Sequence, residues 1–106
     1  MFETLKSMVG MNKIDFAQLA KDGAIILDVR TPTEYSGGHI ENSINIAVDQ
    51  LKINFRKIKD KEKTIITCCA SGMRSGSAKY ILQSNGYVNV HNGGSWQELN
   101  QKINQS

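Results

Sequence analysis

Short runs of β-branched and apolar residues alternate along this chain with segments whose apolar residues recur at helical spacing. The runs predict strands over residues 24–29, 44–48, 64–68 and 87–91. The run at 24–29 has almost no polar alternation, which is typical of a strand that is covered on both faces of a parallel sheet. The sequence therefore predicts an α/β fold, with a central parallel β-sheet and α-helices on both faces.

The segments between these strands carry helix start and stop signals. Capping-box patterns begin at Asp15 and Thr31, and the helices after them are predicted to end at Gly23 and Gly37. Three further helices are predicted: one capped by Asp49 with Leu51, Phe55 and Ile58 on its apolar face, one from Ser75 to about Asn85, and one that holds Trp96, Leu99 and Ile103.

The length and composition indicate one folded domain. The chain has 106 residues, of which 40% are hydrophobic and 22% are charged, as in globular proteins rather than disordered ones. Residues 1–11 show no recognisable chemistry and are predicted to form an N-terminal extension to a domain over residues 12–106. We expect this domain to be a monomer.

The net charge and the cysteine content indicate which partners and which cellular compartment to expect. The net charge of +3 would attract small anions but is too small to predict nucleic-acid binding. No apolar run has the length of a signal peptide or a membrane span, so a membrane partner is not expected. Cys68 and Cys69 are adjacent and cannot build a disulfide framework, which favours a reducing, cytoplasmic location.

Cys69 is the strongest candidate for a reactive group. It follows the strand predicted over 64–68 and precedes a helix, where unpaired N–H groups and the helix dipole favour a thiolate. Arg74 adds a permanent cation, and Gly72 permits the backbone conformation that turns amides inward. The stretch from Cys69 to Arg74 therefore predicts an anion cradle around a sulfur or phosphoryl nucleophile.

Several separated segments of the chain form one recognisable pattern. They are residues 26–30 with Glu34-Tyr35 and residues 38–40, the short segment 45–46, the loop 69–75, and residues 93–96. In this order and spacing they resemble the rhodanese-type sulfurtransferase family, from about Ile14 to the C-terminus.

The resemblance implies a rhodanese-like fold and a sulfur-transfer reaction. Catalytic Cys69 would take a sulfane sulfur from a small anionic donor such as thiosulfate, hold it as a persulfide, and pass it to cyanide or a thiol. A protein sulfur acceptor is a further implied partner, and no metal or organic cofactor is required. The implied substrate-binding loop consists of Ala70, Ser71, Gly72, Met73, Arg74 and Ser75.

Two alternatives stay open at this point. Counted from Cys68, the chain also reads cysteine, five residues and Arg74, the spacing of phosphatases and arsenate reductases built on the same scaffold. Cys68 would then be the nucleophile instead of a packing residue at the end of a strand. The other alternative is a non-catalytic module that only carries a persulfide to a partner.

The remaining polar candidates are more simply structural. Asp28 and Arg30 lie at the C-terminal end of a strand, where open α/β folds place their sites. We expect them to form an ion pair that supports the active-site loop. Arg30 is also a candidate for a residue that faces the pocket. His39 and His91 are interpreted as hydrogen-bonded structural residues, and Trp96 as an anchor of the last helix. A cluster of basic residues is interpreted as a solvated face: Lys52, Arg56, Lys57, Lys59, Lys61 and Lys63.

Overall fold

A computed structural model of the chain describes residues 13–104, so the predicted extension over residues 1–11 lies outside the described part. One four-stranded sheet forms its centre, with the strand order β2-β1-β3-β4 and parallel pairing throughout. The strands are β1 (Ile25–Asp28), β2 (Ile44–Asn45), β3 (Ile65–Cys69) and β4 (Val90–Ser95).

Helical elements precede, connect and follow these strands. They are α1 (Phe16–Lys21), α2 (Pro32–Ser36), two 3₁₀ segments (Val48–Ile53 and Phe55–Ile58), α3 (Met73–Ser84) and α4 (Trp96–Ile103). The predicted α/β fold with a central parallel sheet is confirmed. None of the helices between residues 13 and 104 is long and apolar enough to cross a membrane.

Two apolar clusters cover the two faces of the sheet. Ile65 belongs to the cluster that packs under α3 with Leu82, and Ile66 belongs to the cluster that packs under α4 with Leu99. Neighbouring residues of β3 fall into different clusters because successive side chains of a strand point to opposite faces. The wholly buried strand β3 is therefore enclosed from both sides, as its composition indicates.

The two predicted capping patterns have different outcomes. The Thr31 box is complete, because the Glu34 N–H donates to Thr31 Oγ1 over 3.2 Å and the Thr31 N–H donates to Glu34 Oε1 over 2.9 Å. Asp15 accepts from the Gln18 N–H over 3.0 Å, but the Gln18 side chain donates to Asp22 instead of closing the box. Only half of the first box is formed.

The predicted helix after Asp49 is wrong in type. The segment forms two 3₁₀ pieces separated by Asn54, and the first piece has Ala47 in the capping position with no side-chain cap. Leu51 and Ile58 are nevertheless buried, as the apolar spacing indicates. The strand predicted over 44–48 is also shorter, because the first 3₁₀ piece already begins at Val48.

The last strand begins three residues later than the sequence predicts. Tyr87 closes the C-terminal turn of α3, since its N–H donates to the Leu82 carbonyl over 3.1 Å. Its hydroxyl donates to the carbonyl of Ile58 over 2.7 Å, so the side chain serves packing instead of a strand face. Pairing with β3 instead runs from Val90 into the glycine-containing segment up to Ser95.

Gly93 lets α4 lie close against β3. A Cβ at this position would be 2.8 Å from Ile66 Cγ2, from Leu99 Cδ2 and from the Thr67 carbonyl oxygen. Contacts this short are not tolerated, and one of the three contacted atoms belongs to the backbone of β3. The absence of a side chain at Gly93 is therefore a packing requirement.

We predict that Gly93→Ala destabilises the fold by about 1–3 kcal/mol, the usual cost of overpacking a filled interior. Urea unfolding monitored by circular dichroism measures the change. Gly37→Ala is the matched control, because its Cβ would have its nearest neighbour at 3.5 Å and its backbone already has φ −78°. Equal stability of the two variants would contradict this account of α4 packing.

Candidate active site

The turn from β3 into α3 is short. Cys69 is the last residue of β3, and Met73 is the first residue of α3, two residues earlier than the sequence predicts. Gly72 stands before the helix with φ +104°, a left-handed conformation in which a side chain would be strained. Only three residues, 70–72, therefore join the end of β3 to the start of α3.

The sulfur of Cys69 lies inside this turn. It accepts hydrogen bonds from the Gly72 N–H over 2.9 Å and from the Ser75 N–H over 3.3 Å. The Ser75 hydroxyl oxygen is 3.4 Å from the same sulfur. Gly72 is the N-cap of α3 and Ser75 lies in its first turn, where backbone N–H groups have no partner within the helix. Cys69 itself is fully buried.

Burial and hydrogen bonding act on the Cys69 thiol in opposite directions. Burial alone raises the pKa of the thiol, but hydrogen bonds from the Ser75 hydroxyl and from the N–H groups of Ser75, Gly72 and Ser71 outweigh it. The pKa of Cys69 therefore lies below its ordinary value. A lowered pKa increases the fraction of the thiol that is present as the nucleophilic thiolate at a given pH.

Cys68 occupies the opposite environment one residue earlier. It packs in the second apolar cluster, under α1 and α4, while Cys69 packs in the first. Burial and then the negative charge of Asp28 raise the pKa of Cys68 to about 12. Cys68 is thus a neutral packing residue in this structure, as its position at the end of the predicted strand indicates.

The loop residues divide into those that face the sulfur and those that face solvent. Gly72 and Ser75 surround Cys69, whereas Ala70, Ser71 and Met73 are exposed, Met73 to 81%. The Ser71 contribution to the site comes from its backbone N–H.

Arg74 forms an ion pair within the chain. Its Nη1 and Nη2 donate to Glu34 Oε1 and Oε2 over 2.8 and 3.0 Å. The hydrogen bond from Arg74, followed by the Thr31 N–H, lowers the pKa of Glu34 to about 2. A cation in the first turn of a helix is unfavourable without an anion beside it, and Glu34 supplies that anion.

Asp28 and Arg30 form the mutual ion pair that the sequence indicates. The Arg30 Nη2 lies 2.7 Å from Asp28 Oδ2, and both side chains are almost completely buried. Arg30 also donates to the carbonyls of Glu34 and Gly38 over 3.2 and 2.7 Å, and its guanidinium carbon lies 4.7 Å from the centre of the Trp96 ring. The pair therefore braces the segment around α2 against α4. None of these hydrogen bonds reaches residues 69–75, so the pair does not support the active-site loop directly, and its contacts do not place Arg30 at the sulfur of Cys69.

His39 has the hydrogen-bonded structural role expected of it, and the predicted basic cluster is solvated. His39 Nδ1 lies 2.7 Å from the Tyr35 carbonyl, and the two rings stack with centroids 3.7 Å apart. Among residues 13–104 no group of three or more His, Cys, Asp or Glu could hold a metal ion. Every basic residue of the predicted cluster is exposed: Lys52, Arg56, Lys57, Lys59, Lys61 and Lys63.

Asn92 is a site residue that the sequence reasoning missed. Its Oδ1 accepts from the Ser75 hydroxyl over 2.6 Å and from the Gly94 N–H over 2.9 Å. Its Nδ2 donates to the Gly72 carbonyl over 3.2 Å. The signal that could have found it is an asparagine two residues before Gly94, since asparagine side chains often bond the backbone two residues further on.

Comparison with known proteins identifies the fold family. Residues 12–102 match the family model of the rhodanese-like domain. The chain belongs to the rhodanese-like domain family. A solved structure described as a rhodanese with anions from E. coli superposes with a TM-score of 0.68 at 34% identity, over 72% of this chain and 91% of that one.

Two curated relatives are sulfurtransferases. Thiosulfate sulfurtransferase PspE of Escherichia coli is 35% identical over 74 residues, which cover 69% of this chain and 71% of that protein. Thiosulfate:glutathione sulfurtransferase of Saccharomyces cerevisiae is 36% identical over 102 residues, covering 84% of this chain and 67% of that protein. These relationships support a sulfurtransferase activity for this rhodanese domain.

The two thiols of this rhodanese domain should differ sharply in reactivity. We predict that iodoacetamide modifies Cys69 with a midpoint below the ordinary cysteine value of about 8.5, because the lowered pKa keeps the thiolate present as the pH falls. Cys68 should stay unmodified up to about pH 10, since its thiol ionises only near pH 12. Fragment-ion mass spectrometry assigns the adduct to one residue or the other. A Cys69 midpoint at or above the ordinary value would contradict the anion cradle.

Proposed function

We propose that the protein is a thiosulfate sulfurtransferase that carries sulfur as a persulfide on Cys69. The observation that carries this proposal is the convergence of the Gly72 and Ser75 N–H groups on the Cys69 sulfur. The same arrangement that stabilises a thiolate also stabilises an anionic persulfide.

Sulfur transfer proceeds in two displacements. The Cys69 thiolate attacks the outer sulfur of thiosulfate, a bond forms between the two sulfurs, and the donor's own sulfur–sulfur bond breaks with its electron pair leaving on sulfite. A thiolate or cyanide then attacks the outer sulfur of the persulfide. Cys69 leaves as the thiolate, and its lowered pKa makes it a good leaving group.

The names of the relatives support the choice of substrates. The names of both curated sulfurtransferases include thiosulfate, and the name of the yeast protein also includes glutathione, a thiol. The E. coli structure was obtained with anions, which agrees with an anionic donor. We therefore propose thiosulfate as donor and a small thiol such as glutathione, or cyanide, as acceptor, with a protein acceptor as the alternative.

Access to the sulfur requires a small rearrangement. Cys69 is fully buried in this structure, so a donor reaches Sγ only when the loop over residues 70–72 shifts away from it. Asn92 ties Gly72 to β4 and Glu34 ties Arg74 to α2, so these two contacts limit how far the turn can move.

The environment of Cys68 weighs against the phosphatase reading. Its side chain faces the second apolar cluster, away from the N–H groups of Gly72 and Ser75 that surround Cys69. The pKa of about 12 leaves it protonated at neutral pH. Turnover with small substrates would distinguish an enzyme from a module that only carries a persulfide. The cytoplasmic location and the monomeric state of the protein stay predictions.

The covalent intermediate identifies the nucleophile. We predict that Cys69→Ser abolishes thiosulfate:cyanide activity and prevents the gain of about 32 Da, one sulfur atom, after thiosulfate treatment, because a serine hydroxyl stays protonated in the same cradle. Intact-protein mass spectrometry and a thiocyanate assay measure the two effects.

Cys68→Ser is the matched control for this experiment. It should keep the added sulfur and most of the turnover, at a stability cost of about 1–2 kcal/mol for a polar hydroxyl in a packed apolar cluster. If Cys68→Ser is inactive while the wild type hydrolyses an aryl phosphate, the phosphatase reading is right. Sulfur transfer that survives in Cys69→Ser would refute the proposal.

The ion pair of Arg74 should tune the use of anionic donors. We predict that Arg74→Ala raises the KM for thiosulfate, because it leaves the Glu34 carboxylate unpaired beside the loop and so makes the site less favourable for an anion. Glu34→Gln should lower the KM, because it frees the guanidinium while glutamine can still serve the capping box. Steady-state kinetics and thermal unfolding are compared for both variants.

Both variants should unfold close to the wild-type temperature, since partly exposed ion pairs contribute little to stability. Loss of the fold in Arg74→Ala, with unchanged kinetics in the folded fraction, would mean that Arg74 is only structural.

A further inference from the structure

The hydroxyl of Ser75 has more acceptors around it than it has protons. Its oxygen lies 2.6 Å from Asn92 Oδ1, 3.1 Å from the Gly72 carbonyl oxygen and 3.4 Å from the Cys69 sulfur. A serine hydroxyl donates one hydrogen bond at a time. The shortest of these distances is to Asn92, so the amide oxygen holds the Ser75 proton when Cys69 is a neutral thiol that itself donates to Ser75.

The orientation of the Asn92 amide is fixed by the backbone. Oδ1 faces a donor, the Gly94 N–H, and Nδ2 faces an acceptor, the Gly72 carbonyl. Exchanging the two amide atoms would break both contacts, so the atom that faces Ser75 is an acceptor. Asn92 is exposed to solvent, but three hydrogen bonds hold its side chain in place.

We propose that Asn92 is a positioning residue that controls the ionisation of Cys69 by competing with its sulfur for the Ser75 proton. When Cys69 loses its proton, the Ser75 hydroxyl can turn from Asn92 Oδ1 to the thiolate. The thiolate then gains a donor, while Asn92 keeps the Gly94 N–H. The Asn92 contact therefore stabilises the thiol form relative to the thiolate form.

The other charged groups near the sulfur do not reproduce this effect. Arg74 on α3 acts on Cys69 but is paired with Glu34, and Cys68 on β3 is neutral at working pH. The ionisable groups on and next to the neighbouring strands have other surroundings. Asp28 on β1 and Arg30, two residues after it, pair with each other beside Cys68, and the pKa of His91 on β4 is lowered by burial and then by the charge of Lys79.

The competition for the Ser75 proton predicts that Asn92→Ala lowers the pKa of Cys69. Removing the amide oxygen frees the Ser75 hydroxyl for the thiolate, so the midpoint of Cys69 alkylation should fall by about half a pH unit. A purely structural role predicts the reverse, since a looser turn would align the Gly72 and Ser75 N–H groups less well and raise the midpoint. Asn92→Asp should raise it by about one unit, because a carboxylate holds the proton more firmly and adds negative charge.

The test is a double-mutant cycle with Ser75→Ala, read by iodoacetamide alkylation of Cys69 against pH. Without the Ser75 hydroxyl, Asn92→Ala should no longer lower the midpoint, and Asn92→Asp should raise it less than in the wild-type background. Asn89→Ala is the control and should leave the midpoint unchanged, because Asn89 lies just before β4 and its exposed side chain bonds the Glu62 carbonyl. A midpoint that rises or stays constant in Asn92→Ala overturns the proposal, as does an equal shift in both backgrounds.

Two provisions keep the test decisive. If Asn92→Ala does not fold, the nearly isosteric Asn92→Asp carries the comparison, and an equal rise with and without the Ser75 hydroxyl overturns the proposal. The inference rests on Cys69 as the sulfur-carrying residue, but alkylation needs no sulfur donor. A failed cycle beside a normal persulfide mass therefore refutes only the role of Asn92, whereas persulfide formation in Cys69→Ser refutes the proposed function.

Discussion

Gly72 has to adopt a left-handed conformation, φ +104°, for the turn between β3 and α3 to close around a single sulfur atom. The helix begins immediately after it, so the unpaired N–H groups of the first turn are already close to the strand end. The Gly72 and Ser75 N–H groups then point at Cys69 without any flexible side chain between them. A residue with a Cβ at position 72 would be strained, and the cradle that all the proposed chemistry uses would not form in the same way.

The two arginines that follow the strands β1 and β3 are both held in ion pairs. The guanidinium of Arg74 is bound by Glu34, and that of Arg30 is bound by Asp28. Neither pair leaves a large net charge near the sulfur, so the main stabilisation of an anion comes from short hydrogen bonds. Such bonds act over a few ångströms and depend on geometry, whereas exposed charges are screened by salt. The brace formed by Arg30, Gly38 and Trp96 keeps that geometry by holding the segment around α2 against α4.

Local signals in the sequence predicted the parts of the structure that local chemistry determines. The β-branched run before Cys69, the Thr31 capping box and the helix of Trp96 and Leu99 all appear close to where they were predicted. The misplaced elements depend on distant partners. Val90–Ser95 forms a strand because Gly93 fits against Ile66 and Leu99, which no local propensity encodes. The same holds at the site, where Glu34 and Asn92 reach the loop from 40 and 17–20 positions away.

The alternation of side chains along β3 determines which of the two thiols can serve as the proposed nucleophile. Cys68 and Cys69 are chemically identical neighbours, and only the pairing register of the strand decides which of them faces α3. A slip of one residue would carry each side chain of β3 to the other face. Cys68 would then approach the helix N-terminus, and Cys69 would enter the apolar layer. In this domain, therefore, the identity of the proposed nucleophile depends on the hydrogen-bonding register of the sheet as well as on the presence of a cysteine.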